Sequence, residues 1–268
     1  LTPSTGGGSS GGGSTGGGST GGGSSGGGST DGGSTGGGST PVPGIPSRDD
    51  WANLPDDDGD GLPELVENFV PQPYVPGAVT GDGNGDGVKD STQDDVASSP
   101  LLKTPTAISN PGEAPYSFVT LVADAKAGKA DTADGNIAKI RAVEQLDAPS
   151  SIPDTMTMPL GMLNFVAEVQ NTSELETFSL YLDPALGVNG YWMQDTSSTW
   201  VNLASPIYGG QMVIEGGRLR IDFQVQDGGV FDTDGQADGV ITAHGTVAFM
   251  PLSIVGTRPD TNVDDFWF

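Results

Sequence analysis

One stretch decides the fold class: residues 218–225, which read RLRIDFQV. Polar and apolar side chains alternate there without a fault, and successive side chains of a β-strand point to opposite faces. The alternation predicts a strand with one face in a core and the other in solvent. Residues 163–170 repeat the pattern, with apolar side chains at each odd position.

Further candidate strands fill the rest of the chain beyond residue 111. They are predicted at 116–123, 136–145, 175–183, 190–194, 199–203, 211–215, 239–243 and 246–254. Gly, Pro, Asn and Asp stand at the breaks, and no convincing helix interrupts the series. This spacing predicts an all-β fold, an antiparallel immunoglobulin-like β-sandwich over residues 111–268.

Two acidic, glycine-rich stretches precede the predicted sandwich, in a module at residues 50–110. Loop 1, residues 56–67, reads DDDGDGLPELVE, and loop 2, residues 82–93, reads DGNGDGVKDSTQ. An EF-hand-type calcium loop supplies oxygen ligands from positions 1, 3, 5, 7, 9 and 12, with glycine at position 6 for the sharp turn. The predicted ligands of loop 1 are Asp56, Asp58, Asp60, the Leu62 carbonyl, Glu64 and a bidentate Glu67. Those of loop 2 are Asp82, Asn84, Asp86, the Val88 carbonyl, Asp90 and Gln93.

Loop 2 is expected to bind calcium more weakly than loop 1. Gln93 cannot give a bidentate carboxylate, unless Asp94 or Asp95 substitutes for it. The alternative for both loops is a solvated acidic connection that binds nothing, because DxDxDG spacing also occurs in low-complexity acidic sequence. Two such loops in tandem favour the calcium interpretation.

Other acidic and aromatic clusters are weaker candidates. A third calcium loop, or simply a series of tight turns, is predicted at Asp227, Asp232, Asp234 and Asp238. Asp131 and Asp134 form a similar but weaker pair. A platform for sugar rings could be built from Tyr191, Trp192, Trp200 and Tyr208. Aromatic side chains of a sandwich, however, more often pack in its core.

The N-terminal region, residues 1–49, is of low complexity. Residues 6–40 are seven pentads of the type GGGS(S/T), with one aspartate at position 31. As a flexible coil this tract would span about 30 to 35 Å on average, so it could serve as a tether. The alternative is an ordered, extended segment that packs within an assembly. A proline-rich exit follows it.

The net charge and the amino-acid composition exclude several classes of partner and site. The chain has 268 residues, with 35 acidic and 10 basic side chains, and therefore repels nucleic acids and anionic membranes. No nucleic-acid partner is expected, and no apolar run approaches the ~20 residues that span a bilayer. There is no cysteine, which excludes disulfides and thiolate metal sites. Because Leu1 is not an initiator, we expect a processed or truncated product.

The residues of familiar catalytic sites are missing. His244 is the only histidine, and there is neither a cysteine nor a GxSxG motif, so serine and cysteine triads lack their parts. Most carboxylates fall in the predicted calcium loops. The remaining glutamates lie on predicted strands or turns without the surrounding aromatic residues of a glycosidase cleft. We therefore expect a protein that is not an enzyme.

Three places in the sandwich region carry a resemblance to a known family. A Pro-Leu-Gly turn at 159–161 precedes the strand with Phe165, the pair Tyr191-Trp192 follows an Asn-Gly turn, and residues 227–241 read DGGVFDTDGQADGVI. Residues 112–252 thereby resemble the choice-of-anchor U domain of bacterial surface and secreted proteins. Such proteins share an extracellular domain but use different C-terminal anchors.

The segment before this region extends the resemblance. Residues 81–98 are similar to the GDGNGDG segment often found before that domain, and to thrombospondin type 3 and dockerin calcium repeats. The chain departs from the family at its end, where no LPxTG motif occurs. Residues 263–268 read VDDFWF instead, which is similar to the C-terminus of some type I secretion substrates or is a terminal edge strand.

These observations predict a secreted or bacterial cell-surface structural protein that is stabilised by calcium. Loops of this type fill where calcium is near millimolar, outside cells. The expected roles are adhesion, matrix or filament formation, with self-association into a homo-oligomer or filament. The alternative is a carbohydrate-binding module that uses surface aromatic residues. A dockerin-like docking module is a third interpretation, which the low helical content disfavours.

Overall fold

A computed structural model describes residues 42–130 and 138–251. Three predictions fall outside these residues: the glycine-rich pentads, the Asp131 and Asp134 pair, and the C-terminal residues 263–268. The described part of the chain is mostly β structure, and the predicted all-β antiparallel sandwich is confirmed.

The described residues form twelve β-strands and one short α-helix. The strands are β1 Val96–Leu102, β2 Tyr116–Val122, β3 Ala125–Lys126, β4 Lys129–Ala130, β5 Lys139–Leu146, β6 Met162–Glu168, β7 Leu175–Leu182, β8 Gly190–Gln194, β9 Trp200–Asn202, β10 Gln211–Glu215, β11 Arg218–Gln226 and β12 Val240–Ala248. The helix is α1, Glu64–Glu67. Single 3-10 turns cover Arg48–Asn53, Asp90–Thr92, Pro105–Ala107, Pro184–Leu186 and Pro206–Tyr208. No helix among the described residues is long and apolar enough to cross a bilayer.

Ten of the strands form two antiparallel five-stranded sheets. The first sheet has the order β1-β2-β7-β11-β10, the second has the order β5-β6-β12-β8-β9, and β3 pairs with β4 in a separate hairpin. The edge strands β1 and β5 lie next to each other. The Gln145 side chain of β5 joins them, because it accepts the N–H and donates to the C=O of Leu102 in β1, at 2.9 and 2.7 Å.

Aromatic rings from both sheets meet in the core. Phe178 of β7 and Phe223 of β11 belong to the first sheet, whereas Phe165 of β6 and Tyr191 of β8 belong to the second. The Phe165 and Phe178 ring centroids are 4.8 Å apart, and those of Tyr191 and Phe223 are 4.0 Å apart. All four side chains are fully buried. Their contacts hold the two sheets face to face and account for much of the apolar burial that drives folding.

The outer face of β11 differs from its prediction. The apolar positions face the core as expected, but the alternating polar side chains Arg218, Arg220 and Asp222 are buried too. Arg220 donates to the Ala127 carbonyl in the β3–β4 hairpin, and Asp222 accepts from the hydroxyl of Ser179. The polar face of β11 is therefore covered by other parts of the chain rather than by water.

Several strands differ from the prediction. β12 merges the two strands predicted at 239–243 and 246–254, and β3 and β4 were not predicted. β12 runs through Gly245, where a side chain would stand 2.2 Å from the Tyr191 hydroxyl, so glycine is required at that position. β1 was not predicted as a strand and was placed with the calcium loops. It reads VASSPLL, which lacks alternation, and its Pro100 is tolerated because β1 is an edge strand.

Candidate metal centre

Loop 1 is folded by its own side chains. The two carboxylate oxygens of Asp56 accept the backbone N–H groups of Gly59 and Gly61, at 2.8 and 3.2 Å. Asp60 Oδ1 accepts the N–H of Leu62 at 2.7 Å. Gly61 has φ +88°, a left-handed conformation that favours glycine at position 6 of the loop. These bonds turn the acidic side chains toward one point.

Carboxylate oxygens without a hydrogen-bond donor meet at that point. Ligand atoms of Asp56, Asp58 and Asp60 lie within 4.8 Å of one another. Both oxygens of Asp58, Oδ2 of Asp60 and Oε2 of Glu67 are buried and lack a donor. A buried polar atom without a partner costs about 1–3 kcal/mol, and more when it is charged. Four such atoms in one loop therefore form a site that could hold a cation.

Electrostatics lead to the same conclusion. Burial raises the pKa of Asp58 to about 6, with Asp56 beside it as a further cause. Burial also raises the pKa of Asp60, and burial together with the charge of Asp60 raises the pKa of Glu67. These carboxyl groups repel each other when they are ionised without a cation. A bound divalent cation would reverse the effect by favouring the charged forms.

The donor set fits a hard cation. Four carboxylates at positions 1, 3, 5 and 12 of the loop are all oxygen donors, which suits Ca²⁺ better than thiophilic metals. Glu64 at position 9 accepts the N–H of Asp57 at 2.5 Å, and could reach the ion through water. The Leu62 side chain is buried in the sandwich core, which anchors the residue whose carbonyl is the predicted ligand at position 7.

Loop 1 contacts the edge strands of both sheets. Oε1 of Glu67 accepts the backbone N–H of Ser98 in β1 at 3.0 Å. On the other side, Arg141 of β5 donates to the Gly59 carbonyl at 3.4 Å, at the position where the β5–β6 register shifts. A side chain on Gly61 would stand 2.9 Å from the Arg141 carbonyl, so the loop packs directly on the β5 backbone. The loop thus lies across the side of the sandwich where β1 and β5 meet.

Loop 2 repeats the internal hydrogen bonds of loop 1. Asp82 accepts the N–H groups of Gly85 and Gly87 at 2.5 and 2.9 Å, and Asp86 accepts that of Val88 at 2.8 Å. These bonds link the same loop positions as in loop 1: 1 to 4, 1 to 6, and 5 to 7. The two loops therefore share their backbone geometry.

The two loops differ in the hydrogen-bond donors that their acidic side chains have. In loop 2 the amides of Asn84 and Gln93 both donate to Asp86 Oδ2, at 3.1 and 3.0 Å. Asp90 is fully buried and accepts the Ser98 hydroxyl at 2.5 Å and a backbone N–H of the loop at 2.9 Å. Burial raises the pKa of Asp90 to about 7. In the described part of the chain, only loop 1 brings three acidic side chains within 4.8 Å.

Basic side chains of the sandwich also contact loop 2. Arg218 of β11 donates to the Gly83 carbonyl at 2.8 Å, and Lys129 of β4 donates to the Asn84 carbonyl. The ammonium group of Lys139 pairs with Asp94, one of the suggested substitutes for Gln93. Loop 2 is thus held partly by cationic side chains of the protein, which agrees with the expectation of weaker calcium binding but does not test it.

The third candidate loop shows turn chemistry. It contains Asp227, Asp232, Asp234 and Asp238. Asp227 and Asp232 are buried, and each accepts two backbone N–H groups at 2.8–3.1 Å. Asp234 and Asp238 are exposed, and each accepts the N–H two residues further on, at 2.8 and 3.1 Å. One oxygen of Asp227 has no donor, but no three of these carboxylates form a cluster among the described residues.

The aromatic platform was the less favoured interpretation, and the structure shows packing at Tyr191 and Trp192 instead. Tyr191 stacks on Phe223 in the core, and Trp192 is 4% exposed in a smaller buried cluster that Trp200 partly covers. Neither Tyr191 nor Trp192 presents a ring face to solvent, so these two residues offer no surface to a sugar. Tyr208 is 41% exposed but packs edge-on against another ring.

Two residues that attach the loops to the sandwich were missed. Ser98 bonds Glu67 through its N–H and Asp90 through its hydroxyl, although Glu67 is 31 positions away. Such a long-range contact leaves no spacing signal in the sequence. The sequence did single out Arg218 as unusual, because it is one of only 10 basic residues in an acidic chain and begins the most regular strand.

Comparisons of the chain with protein-family models, curated proteins and solved structures find no match. The resemblance to choice-of-anchor U domains and to calcium repeats therefore stays a prediction.

Proposed function

We propose that this protein is a calcium-stabilised structural module of the extracellular space, in which loop 1 binds Ca²⁺ and secures the β-sandwich. The observation that carries the proposal is the group of buried carboxylate oxygens in loop 1 that have no hydrogen-bond donor. Buried charges in folded proteins are normally paired or coordinate a metal. A multivalent cation could satisfy the three clustered aspartates and the free oxygen of Glu67 at once.

Calcium is the favoured ion for this site. The ligands are carboxylates and carbonyls, and Ca²⁺ accepts six to eight oxygen atoms in flexible geometry, whereas Mg²⁺ demands an octahedron and retains its waters. The spacing of the ligands matches that of an EF-hand-type loop, including the closing glutamate. Loop 2 is a weaker second site in this proposal, because Gln93 and Asn84 donate to Asp86.

The proposed mechanism couples ion binding to the rigidity of the sandwich edge. Without a cation, Asp58, Asp60 and Glu67 repel each other or take up protons. With a cation, Glu67 is held between the loop and the N–H of Ser98 in β1, while Gly61 stays packed on β5. Since a ligand that binds only the folded state stabilises it, calcium raises the free energy of unfolding.

This coupling suits a protein that works outside cells. Sites of extracellular modules fill at calcium concentrations of about 0.1–1 mM, which a cytosol does not provide. A sandwich that becomes rigid on export could serve in adhesion, matrix or filament formation, and the acidic surface keeps it soluble meanwhile. We propose a secreted or cell-surface location on this basis.

The double substitution Asp58→Asn with Asp60→Asn tests the site. The native protein should gain about 1.4–2.7 kcal/mol of unfolding free energy when calcium exceeds its Kd by 10- to 100-fold. The variant should lose this gain. In chelator it should be at least as stable as the native protein, because the amides remove the repulsion. Urea unfolding in calcium and in chelator measures both effects.

The matched control is Asp49→Asn with Asp50→Asn. It removes the same two charges from an exposed 3-10 turn outside the loops. It should keep the full calcium response. If both variants lose the response equally, calcium acts through net charge alone and the site in loop 1 is refuted.

A further inference from the structure

The outer face of the second sheet carries polar side chains that the calcium proposal does not use. On β12, Ala243 faces the core, so His244 lies on the opposite face. The strand register pairs His244 with Asn164 of β6. On the other side, the pairing of Gly245 with Met193 brings Gln194 of β8 next to His244. Polar groups from three adjacent strands thus form a row on a rigid sheet.

A groove of about 440 Å³ runs beside this row. Residues 146, 147 and 149 line it on one side, and residues 230–233 and 195–196 line it elsewhere. Ligand sites in proteins typically measure about 300–1,000 Å³ and combine apolar walls with a few placed polar groups. The groove meets both conditions, because Phe231 and Met162 line it together with His244 and Gln194.

The charges of the groove restrict its ligand. No lysine or arginine is among the described residues that line it, and the chain carries 25 excess negative charges, so an anionic ligand would be repelled. Three aspartates line the groove: Asp147, Asp195 and Asp232. Their ligand atoms do not form a cluster, because among the described residues only loop 1 brings three acidic side chains within 4.8 Å of one another, so the groove is not a cation site of that kind.

The remaining groups match a neutral sugar. The imidazole of His244 and the amide of Gln194 each offer a donor and an acceptor, which suits hydroxyl groups that both donate and accept. Phe231 supplies an apolar wall for the C–H face of a sugar ring. Its ring is held edge-on by Tyr208, with the centroids 6.5 Å apart, so its position is restrained.

We propose that this groove binds a neutral oligosaccharide, with His244 and Gln194 as hydrogen-bonding residues and Phe231 as the apolar wall. The site differs from the aromatic platform that the sequence suggested, since Tyr191 and Trp192 lie in buried clusters. It shares no residue with loops 1 and 2, so it adds a binding function to the proposed structural one.

The experiment uses the full chain in millimolar calcium and a panel of neutral hexose hexasaccharides: a β-1,4-glucan, a β-1,3-glucan and an α-1,6-mannan. Because His244 is the only histidine, its imidazole Cε1–H gives a single NMR signal that reports on the groove. At least one hexasaccharide should shift that signal in a saturable way. Calorimetry should give the same Kd.

Variants make the assignment specific. Gln194→Ala and His244→Ala should each weaken binding of that hexasaccharide at least tenfold. The matched control is Gln170→Ala, an exposed glutamine after β6 that does not line the groove, and it should bind as the native protein does. The proposal is overturned if no hexasaccharide moves the signal, if the groove variants bind normally, or if hexalysine binds there and the sugars do not.

Discussion

The backbone N–H of Ser98 donates to Oε1 of Glu67 over 3.0 Å, which joins the closing carboxylate of loop 1 to the edge strand β1. The other oxygen of Glu67 has no donor. The carboxylate of Glu67 therefore has one oxygen hydrogen-bonded to the sandwich and one oxygen that could bind an ion. This arrangement connects the predicted site to the stability of the fold.

Glu67→Gln should separate these two roles. The amide oxygen can still accept from Ser98, but the negative charge and the second carboxylate oxygen proposed for the ion are lost. Even substitutions of residues that only support a ligand weaken metal binding about 10- to 100-fold, so calcium affinity should fall at least that far. Calorimetric titration with calcium measures the change. Glu64→Gln, which alters the ligand proposed to act through water, should have a smaller effect. Equal effects would argue against the assigned loop positions.

Ser98→Ala should destabilise the protein through Asp90. The Ser98 hydroxyl donates to Asp90 or Thr120 in a buried site, and removing it leaves a buried polar group unsatisfied, at a cost of about 1–3 kcal/mol. The neighbouring Ser99 is the matched control, because its hydroxyl is buried without a partner. Ser99→Ala should be neutral or stabilising in urea unfolding. A comparable loss in both variants would show that packing, not the hydrogen bond, matters.

Arg218→Lys should also be costly. The guanidinium of Arg218 is buried and donates to the carbonyls of Gly83, Phe118 and Tyr181 at 2.8–3.1 Å. Lysine cannot reproduce this fork of donors, so we expect a loss of about 2–4 kcal/mol in unfolding free energy.

The comparison for this variant is Arg141→Lys. Arg141 is a more exposed arginine that pairs with Glu168. Its substitution should change stability by about 0.5 kcal/mol or less. A small effect at Arg218 would mean that the sandwich does not depend on its attachment to loop 2.

The pH dependence of stability should change sign with calcium. The raised pKa values of Asp58, at about 6, and of Asp90, at about 7, mean that the folded state holds protons which the unfolded chain has lost above its pKa of about 4. In chelator, stability should therefore fall as pH rises from about 4 to 7. In calcium it should rise over the same range, because protons compete with the ion. Melting temperatures at pH 5 and pH 7 check both slopes, and parallel slopes would contradict the site.

The sequence allowed much of this fold to be predicted, because alternation marks strands that bury one face. β8 and β10 were predicted at their observed limits, and the apolar side of β11 faces the core. Burial of Arg218, Arg220 and Asp222 could not be predicted, since it depends on which distant segments cover the sheet. β1 was not predicted for a related reason. Its VASSPLL sequence has no alternation of polar and apolar residues, and only its pairing with β2 defines it as a strand.

The ligand residues of the candidate site could be predicted from the sequence, but the hydrogen bonds that these residues make could not. Ligand spacing selected Asp56, Asp58 and Asp60, which the structure brings together. Spacing alone could not distinguish the two loops by their internal donors, because that difference depends on where the amides of Asn84 and Gln93 point. Core packing was the favoured interpretation for Tyr191, which is fully buried.

Hydrogen exchange with and without calcium tests the central claim most directly. The claim is that calcium in loop 1 secures the edge strands β1 and β5, which the loop contacts. Among the described residues, no hydrogen bond or ion pair joins loop 1 to the opposite edge strands β9 and β10. At a calcium concentration well above Kd, the amides of β1 and β5 should exchange at least tenfold more slowly than in chelator. Those of β9 and β10 should change much less. If calcium leaves the exchange of β1 and β5 unaltered, the ion does not hold the sandwich edge and the account is wrong.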